Sequence, residues 1–223
     1  MTHHFHNELN TLNDRLLIMA SRAESAVQTA IRALVERDDD LSDQVETTDH
    51  EIDQFELEID ELAIQLLAKA PLARDLRLIT VAMKICTDLE RVGDEATTIA
   101  RRARELSQEP QLKDYIDIPR MVTMAMTMLD QALTAFVNED GIAARAVIPQ
   151  DKAVDELNRQ LQRELSDFMV KDPKNITRCL NLMVISKSLE RIADHAKNVA
   201  EVVVYLCEAT DIRHAKAKRA GDL

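Results

Sequence analysis

Apolar residues recur at alternating intervals of three and four along most of this 223-residue chain. That rhythm places them on one stripe of a helix. One run is Leu9, Leu12, Leu16, Met19, Ala23, Ala26, Ala30; a second is Leu41, Val45, Ile52, Phe55, Ile59, Leu62, Leu66, with Thr48 at the missing step. A third is Leu78, Ala82, Ile85, Leu89, Val92, Ala96, Ile99, Ala103, Leu106. The last repeats it as Leu182, Ile185, Leu189, Ile192, Ala196, Val199, Val203, Leu206. Each stripe needs a partner to bury it, and short connectors make successive helices antiparallel neighbours. With three glycines, five prolines and 3% aromatic residues, strands lack both their turns and their preferred side chains. The fold class expected is all-α.

The punctuation repeats as well. Asp38-Asp39-Asp40 is expected to end the first helix, Pro71 to separate the second from the third, and Gly141 and Pro173 to punctuate the second half. A shift of 102 positions carries Met19 onto Met121, Ala23 onto Ala125, Asp49 onto Asp151, Asp53 onto Asp155 and Pro71 onto Pro173. Beyond the second proline the shift is 100, and Leu89-Glu90-Arg91 and Asp94 fall on Leu189-Glu190-Arg191 and Asp194. The expected architecture is two tandem three-helix bundles related by internal duplication. The polar, proline-flanked stretch from Pro110 divides them. The boundaries drawn are 1–109 for the first repeat, 110–118 for a linker, 119–214 for the second repeat and 215–223 for a tail.

Duplicated apolar positions require only a duplicated core; duplicated acids require something else. Asp49 and Asp53 are four apart, as are Glu90 and Asp94, so each pair shares a helix face. Like charges at that spacing destabilise an isolated helix by a few tenths of a kcal/mol. Asp53 and Asp49 lie ~27 and ~33 Å before Pro71 along one helix, and Glu90 and Asp94 ~29 and ~35 Å after it along the next. Asp151, Asp155, Glu190 and Asp194 repeat the arrangement about Pro173. In antiparallel hairpins four carboxylates then meet at one level in each half, flanking the core and reaching solvent. An all-oxygen set suits hard cations, Mg²⁺, Ca²⁺, Mn²⁺ or oxidised iron. His50 and His195 adjoin motif acids but point about 100° away, which fits a surface or second-layer role. The alternative is an internal ion-pair network, with Arg91 and Arg191 as its cations.

Charge and composition exclude other classes. The net charge of −12 leaves only Arg213, His214, Lys216, Lys218 and Arg219 as a basic cluster, read as a solvated helix end. Nucleic acid and anionic lipid are therefore disfavoured as partners. There is no signal-peptide pattern and no apolar run near the ~18 residues of a membrane span. Three cysteines without a CxxC pair read as buried reduced thiols. His3, His4 and His6 read as a frayed terminus. The expected setting is the cytoplasm.

Asp75-Leu76-Arg77, then Asp88-Leu89-Glu90-Arg91-Val92-Gly93-Asp94, and the second-half run from Leu189 to Glu201, resemble the PhoU family. The likeness extends from about His4 to about Leu206. It implies two three-helix bundles and multinuclear metal clusters on E(D)xxxD motifs. The ligands carried over are Asp49, Asp53, Glu90 and Asp94 in one cluster, and Asp151, Asp155, Glu190 and Asp194 in the other. Asn198, one turn beyond Asp194 where the first half has Thr98, could add an amide oxygen, so the sites would differ in metal number or affinity. The ions implied are iron, manganese, magnesium or zinc. The resemblance also implies a non-enzymatic negative regulator of the phosphate-starvation response. Its partners would be the ATPase subunit of the phosphate-specific ABC transporter and a phosphate-sensing histidine kinase, with the membrane reached only through them, and it would be a homodimer. The competing functional reading is a metal-dependent helical-bundle enzyme, a hydrolase or a di-metal oxygen-handling protein. No Glu-x-x-His tetrad or glycine-rich loop supports that reading. A plain structural bundle whose acids bind nothing is the third.

Overall fold

The computed structural model describes residues 2–70 and 72–212, with side chains from residue 5 onward. Pro71, the side chains of His3 and His4, and the basic cluster beginning at Arg213 lie outside the described residues. The helices are α1 (Thr2–Glu36), α2 (Asp39–Leu67), α3 (Ala73–Ser107), α4 (Asp117–Val137), α5 (Gly141–Val147), α6 (Asp151–Lys171) and α7 (Ile176–Glu208). No strand occurs among the described residues. α1, α2 and α3 pack on one another, α4 and α6 pack on α7, and α3 lies along α7 to join the two bundles. The apolar stripes named above fill a single continuous core, with Leu12, Leu16, Ile52, Ile59, Leu89, Ile185 and Leu189 fully buried.

Two junctions depart from the sequence reading. The acidic triplet does not close α1; Asp38 instead caps α2, its Oδ1 accepting from the Asp40 N–H at 2.9 Å. Asp39 and Asp40 then fill the first turn of α2, where the helix dipole favours negative charge. α1 ends through Arg37, held at φ 58°, with the Asp38 N–H reaching back to the Ala33 carbonyl at 3.3 Å. The equivalent positions 102 residues on behave alike. Glu139 has φ 48°, the Asp140 N–H bonds the Ala135 carbonyl at 2.9 Å, and Asp140 caps the next helix by accepting from Ile142 and Ala143.

The second departure is a seventh helix. The counterpart of α2 is broken into α5 and α6 by a 3-10 turn over Ile148–Gln150. Pro149 sits in the break: it has no N–H to donate and its ring crowds the carbonyl one turn back, while Ile148 before it keeps helical backbone at φ −51° and ψ −44°. The consequence for the site is direct, because Asp151 becomes the first residue of α6. Between Ser107 and Asp117 the chain runs without helix and passes from one bundle to the other. No helix among the described residues is long and apolar enough to cross a membrane.

Candidate metal centre

In the first half α2 comes close against α3 at Gly93. A Cβ built there would stand 2.9 Å from Ile52 Cδ1 and 3.3 Å from Asp49 Oδ1. The missing side chain thus lets Asp49 sit against α3 at the level of Asp94. Asp49 and Glu90 are half-buried, while Asp53 and Asp94 are exposed. The acids sense one another. Burial first, and then Asp53 and Asp94, push the Asp49 carboxyl above its ordinary range. Burial, then Asp94 and Glu56, do the same to Glu90, with Arg91 opposing.

Two members of this cluster escape a search for duplicated acids. Glu56 is raised by burial and by Asp60, Asp53 and Asp94 in turn, which puts Glu56 and Asp60 in the same field. They continue the α2 face one and two turns beyond Asp53, a spacing visible in the sequence. Their partners by repetition, Asn158 and Gln162, carry no charge, so duplication hid them. The Thr97 hydroxyl on α3, in a residue 5% exposed, faces Asp49, and its hydrogen bonding opposes part of the upward push on that carboxyl.

The second half arranges its acids differently. Asp151 is buried at the start of α6, and its Oδ2 accepts from Lys197 Nζ at 2.8 Å; the same ammonium lies 3.4 Å from Asp194 Oδ1. Asp155 pairs with Arg159 at 3.6 Å, and Glu190 pairs with Lys187. Burial alone would lower the Lys197 ammonium, but its hydrogen bond and attraction to Asp151, then Asp194, outweigh that and raise it. Asp151 Oδ1 is buried without a partner.

Arg191, by contrast, pairs across the bundles with Glu95 on α3 at 3.1 Å. His195 Nδ1 lies 2.9 Å from Asp88 Oδ1, and Asn198 donates to the same oxygen at 3.2 Å. His195 and Asn198 thus tie α7 to α3, and with Arg91, Asp94, Glu95, Arg191 and Asp194 they line a cleft of about 670 Å³ along that seam. His50 is exposed. Among the described residues no three His, Cys, Asp or Glu side chains stand in a geometry that would hold a metal ion. The first-half acids nevertheless fit a hard cation in kind. All are oxygen donors, mutually repelling, with the buried Thr97 hydroxyl beside Asp49.

The family model described as the PhoU domain matches residues 16–103 and 118–203, one copy in each bundle. The chain is 41% identical over 225 residues to the "Phosphate-specific transport system accessory protein PhoU homolog" of Pseudomonas putida, covering 98% of this chain and 88% of that protein. The crystal structure of PhoU from Pseudomonas aeruginosa superposes with a TM-score of 0.89 at 40% identity, covering 92% of this chain and all of the other. The phosphate transport system regulatory protein PhoU from Streptococcus pneumoniae superposes with a TM-score of 0.87 at 29% identity, covering 93% and 99%. Two matched copies of the domain in two bundles, with near-full-length likeness in both sequence and fold, place this chain in the PhoU family.

Proposed function

We propose that this chain is a regulator accessory to phosphate-specific transport, working by docking and not by catalysis. Support comes from relatives named for that role along nearly their whole length, in a family of accessory and regulatory proteins without a catalytic reaction. In the finer reading it is a cytoplasmic, homodimeric adaptor. It links the transporter's ATPase subunit to a phosphate-sensing histidine kinase and keeps the starvation response off while phosphate is plentiful.

The same reading gives it a metal ion. The observation that carries this is the first-half cluster, where Asp49, Asp53, Glu90 and Asp94, joined by Glu56 and Asp60, repel one another. Those residues would hold the ion; its positive charge would offset their repulsion and tie α2 to α3. Among iron, manganese, magnesium and zinc, the oxygen donor set favours the harder ions.

The test is genetic. A deletion strain is expected to express a starvation-induced phosphatase in high phosphate, and the wild-type gene to restore repression. Repression that persists in the deletion strain would overturn the regulatory reading. A chain with Asp53→Asn and Glu90→Gln, checked for folding, then asks whether the metal cluster is needed for that repression.

A further inference from the structure

The two halves share a plan but not a charge pattern. Repetition carries Glu56 and Asp60 onto the amides Asn158 and Gln162, and carries Leu57, Thr87 and Thr97 onto Arg159, Lys187 and Lys197. Across the nine positions that hold these residues and the duplicated acids, the first half has six acids and no cation, a formal charge of −6. The second has four acids and three cations, a formal charge of −1. Among the described residues no ion pair joins any of the six first-half acids to a lysine or arginine. In the second half all four acids are paired, and every one of those pairs uses one of the three substituted cations.

We infer that metal binding belongs to the first half alone, and that in the second half Lys187, Lys197 and Arg159 supply the compensating charge. This rests on the metal reading proposed above. A divalent ion entering between α6 and α7 would have to break the Asp151–Lys197 bond, and it would be repelled by both ammonium groups. Asp151 Oδ1 has no partner, but it shares its carboxylate with the Oδ2 that Lys197 already neutralises. Between α2 and α3 the same ion meets carboxylates that no lysine or arginine pairs with directly, beside the Thr97 hydroxyl that faces Asp49. The bundles are then unequal by construction. One is held at its acidic face by an exchangeable ion and the other by its own side chains.

The experiment is equilibrium dialysis of the full-length chain against Mn²⁺, with elemental analysis and a circular-dichroism check of folding. Asp53→Asn with Glu90→Gln is expected to lower bound Mn²⁺ by about tenfold or more. Asp155→Asn with Glu190→Gln is expected to leave it unchanged, and Lys187→Thr with Lys197→Thr to raise it. Loss of a comparable share of metal from the second-half pair would overturn the inference and leave the metal reading standing. A wild-type chain that binds no Mn²⁺ would overturn both. Should the first-half pair fail to fold, Thr97→Lys gives that half the cation found in the other. It is expected to abolish uptake, and full retention counts against the inference.

Discussion

Replacing Lys197 with methionine keeps most of the side-chain volume and removes the charge. The cost follows from what is left behind. The Asp151 side chain is 8% exposed and the Lys197 side chain 29%, so the pair lies between the buried and surface extremes. Breaking a fully buried pair costs about 3–5 kcal/mol, and an exposed pair contributes about 0–1. With one partner sheltered and the other partly wet, the loss expected is about 2–3 kcal/mol. For a chain of this size that lowers the midpoint of thermal unfolding by about 4–12 °C. The measurement is a thermal scan at neutral pH with a chelator present. It should be accompanied by Asp151→Asn and the double variant, whose cycle isolates the pair. The double variant should regain much of the loss, because no buried charge is then left without a partner. The Lys197 ammonium is shifted upward by ionised Asp151 and Asp194, so its contribution is complete at neutral pH and is lost as pH rises through its raised folded value. The deficit should therefore be constant across the neutral range. A shift of less than about 1 °C, or a double variant no better than the sum of the singles, would refute the claim that Lys197 neutralises this site.

Glu24 on α1 faces Asp130 on α4 along a groove, and burial first, then Asp130, raises its carboxyl. A raised folded value means that wild-type stability falls as pH climbs through it, so Glu24→Gln should gain in urea midpoint at neutral pH and lose that gain below about pH 4. A less stable glutamine variant at neutral pH would contradict this. Gly93→Val forces a branched side chain against Ile52 and Asp49, with an expected cost of about 1–3 kcal/mol by urea titration and loosened contact between α2 and α3. Cys86 and Cys179 are buried, and burial pushes the Cys86 thiol to about 12, while Cys207 is exposed. A thiol reagent should label Cys207 in the native chain and reach the other two only on unfolding, as peptide mass mapping would report.

The likeness to PhoU and the all-helical class were legible because both rest on local patterns. The spacing of apolar residues dictates a helix whatever surrounds it, and the matched prolines and acids exposed the duplication. The spacing of Asp49, Asp53, Glu90 and Asp94 along their helices was readable for the same reason, since helical rise converts residue count into height. What the sequence could not rank was competition for each carboxylate. Arg91 and Arg191 adjoin motif acids in the chain, yet Arg191 pairs with Glu95 across the bundles, and the cations that meet the second-half acids are Lys187, Lys197 and Arg159.

Asn198 teaches the same lesson. One turn from Asp194 on α7, it spends its amide N–H on Asp88 of α3, because that helix packs there and only the tertiary arrangement says so. Pro149, present in the sequence throughout, acquired its meaning only when the break it sits in set Asp151 at a buried helix start. Periodicity by itself determined which residues form helices and which of them face the core, since backbone hydrogen bonding and apolar burial act within one segment. Which charges find each other was decided only by how the segments pack, because an ion pair depends on a few ångströms between side chains distant in the chain.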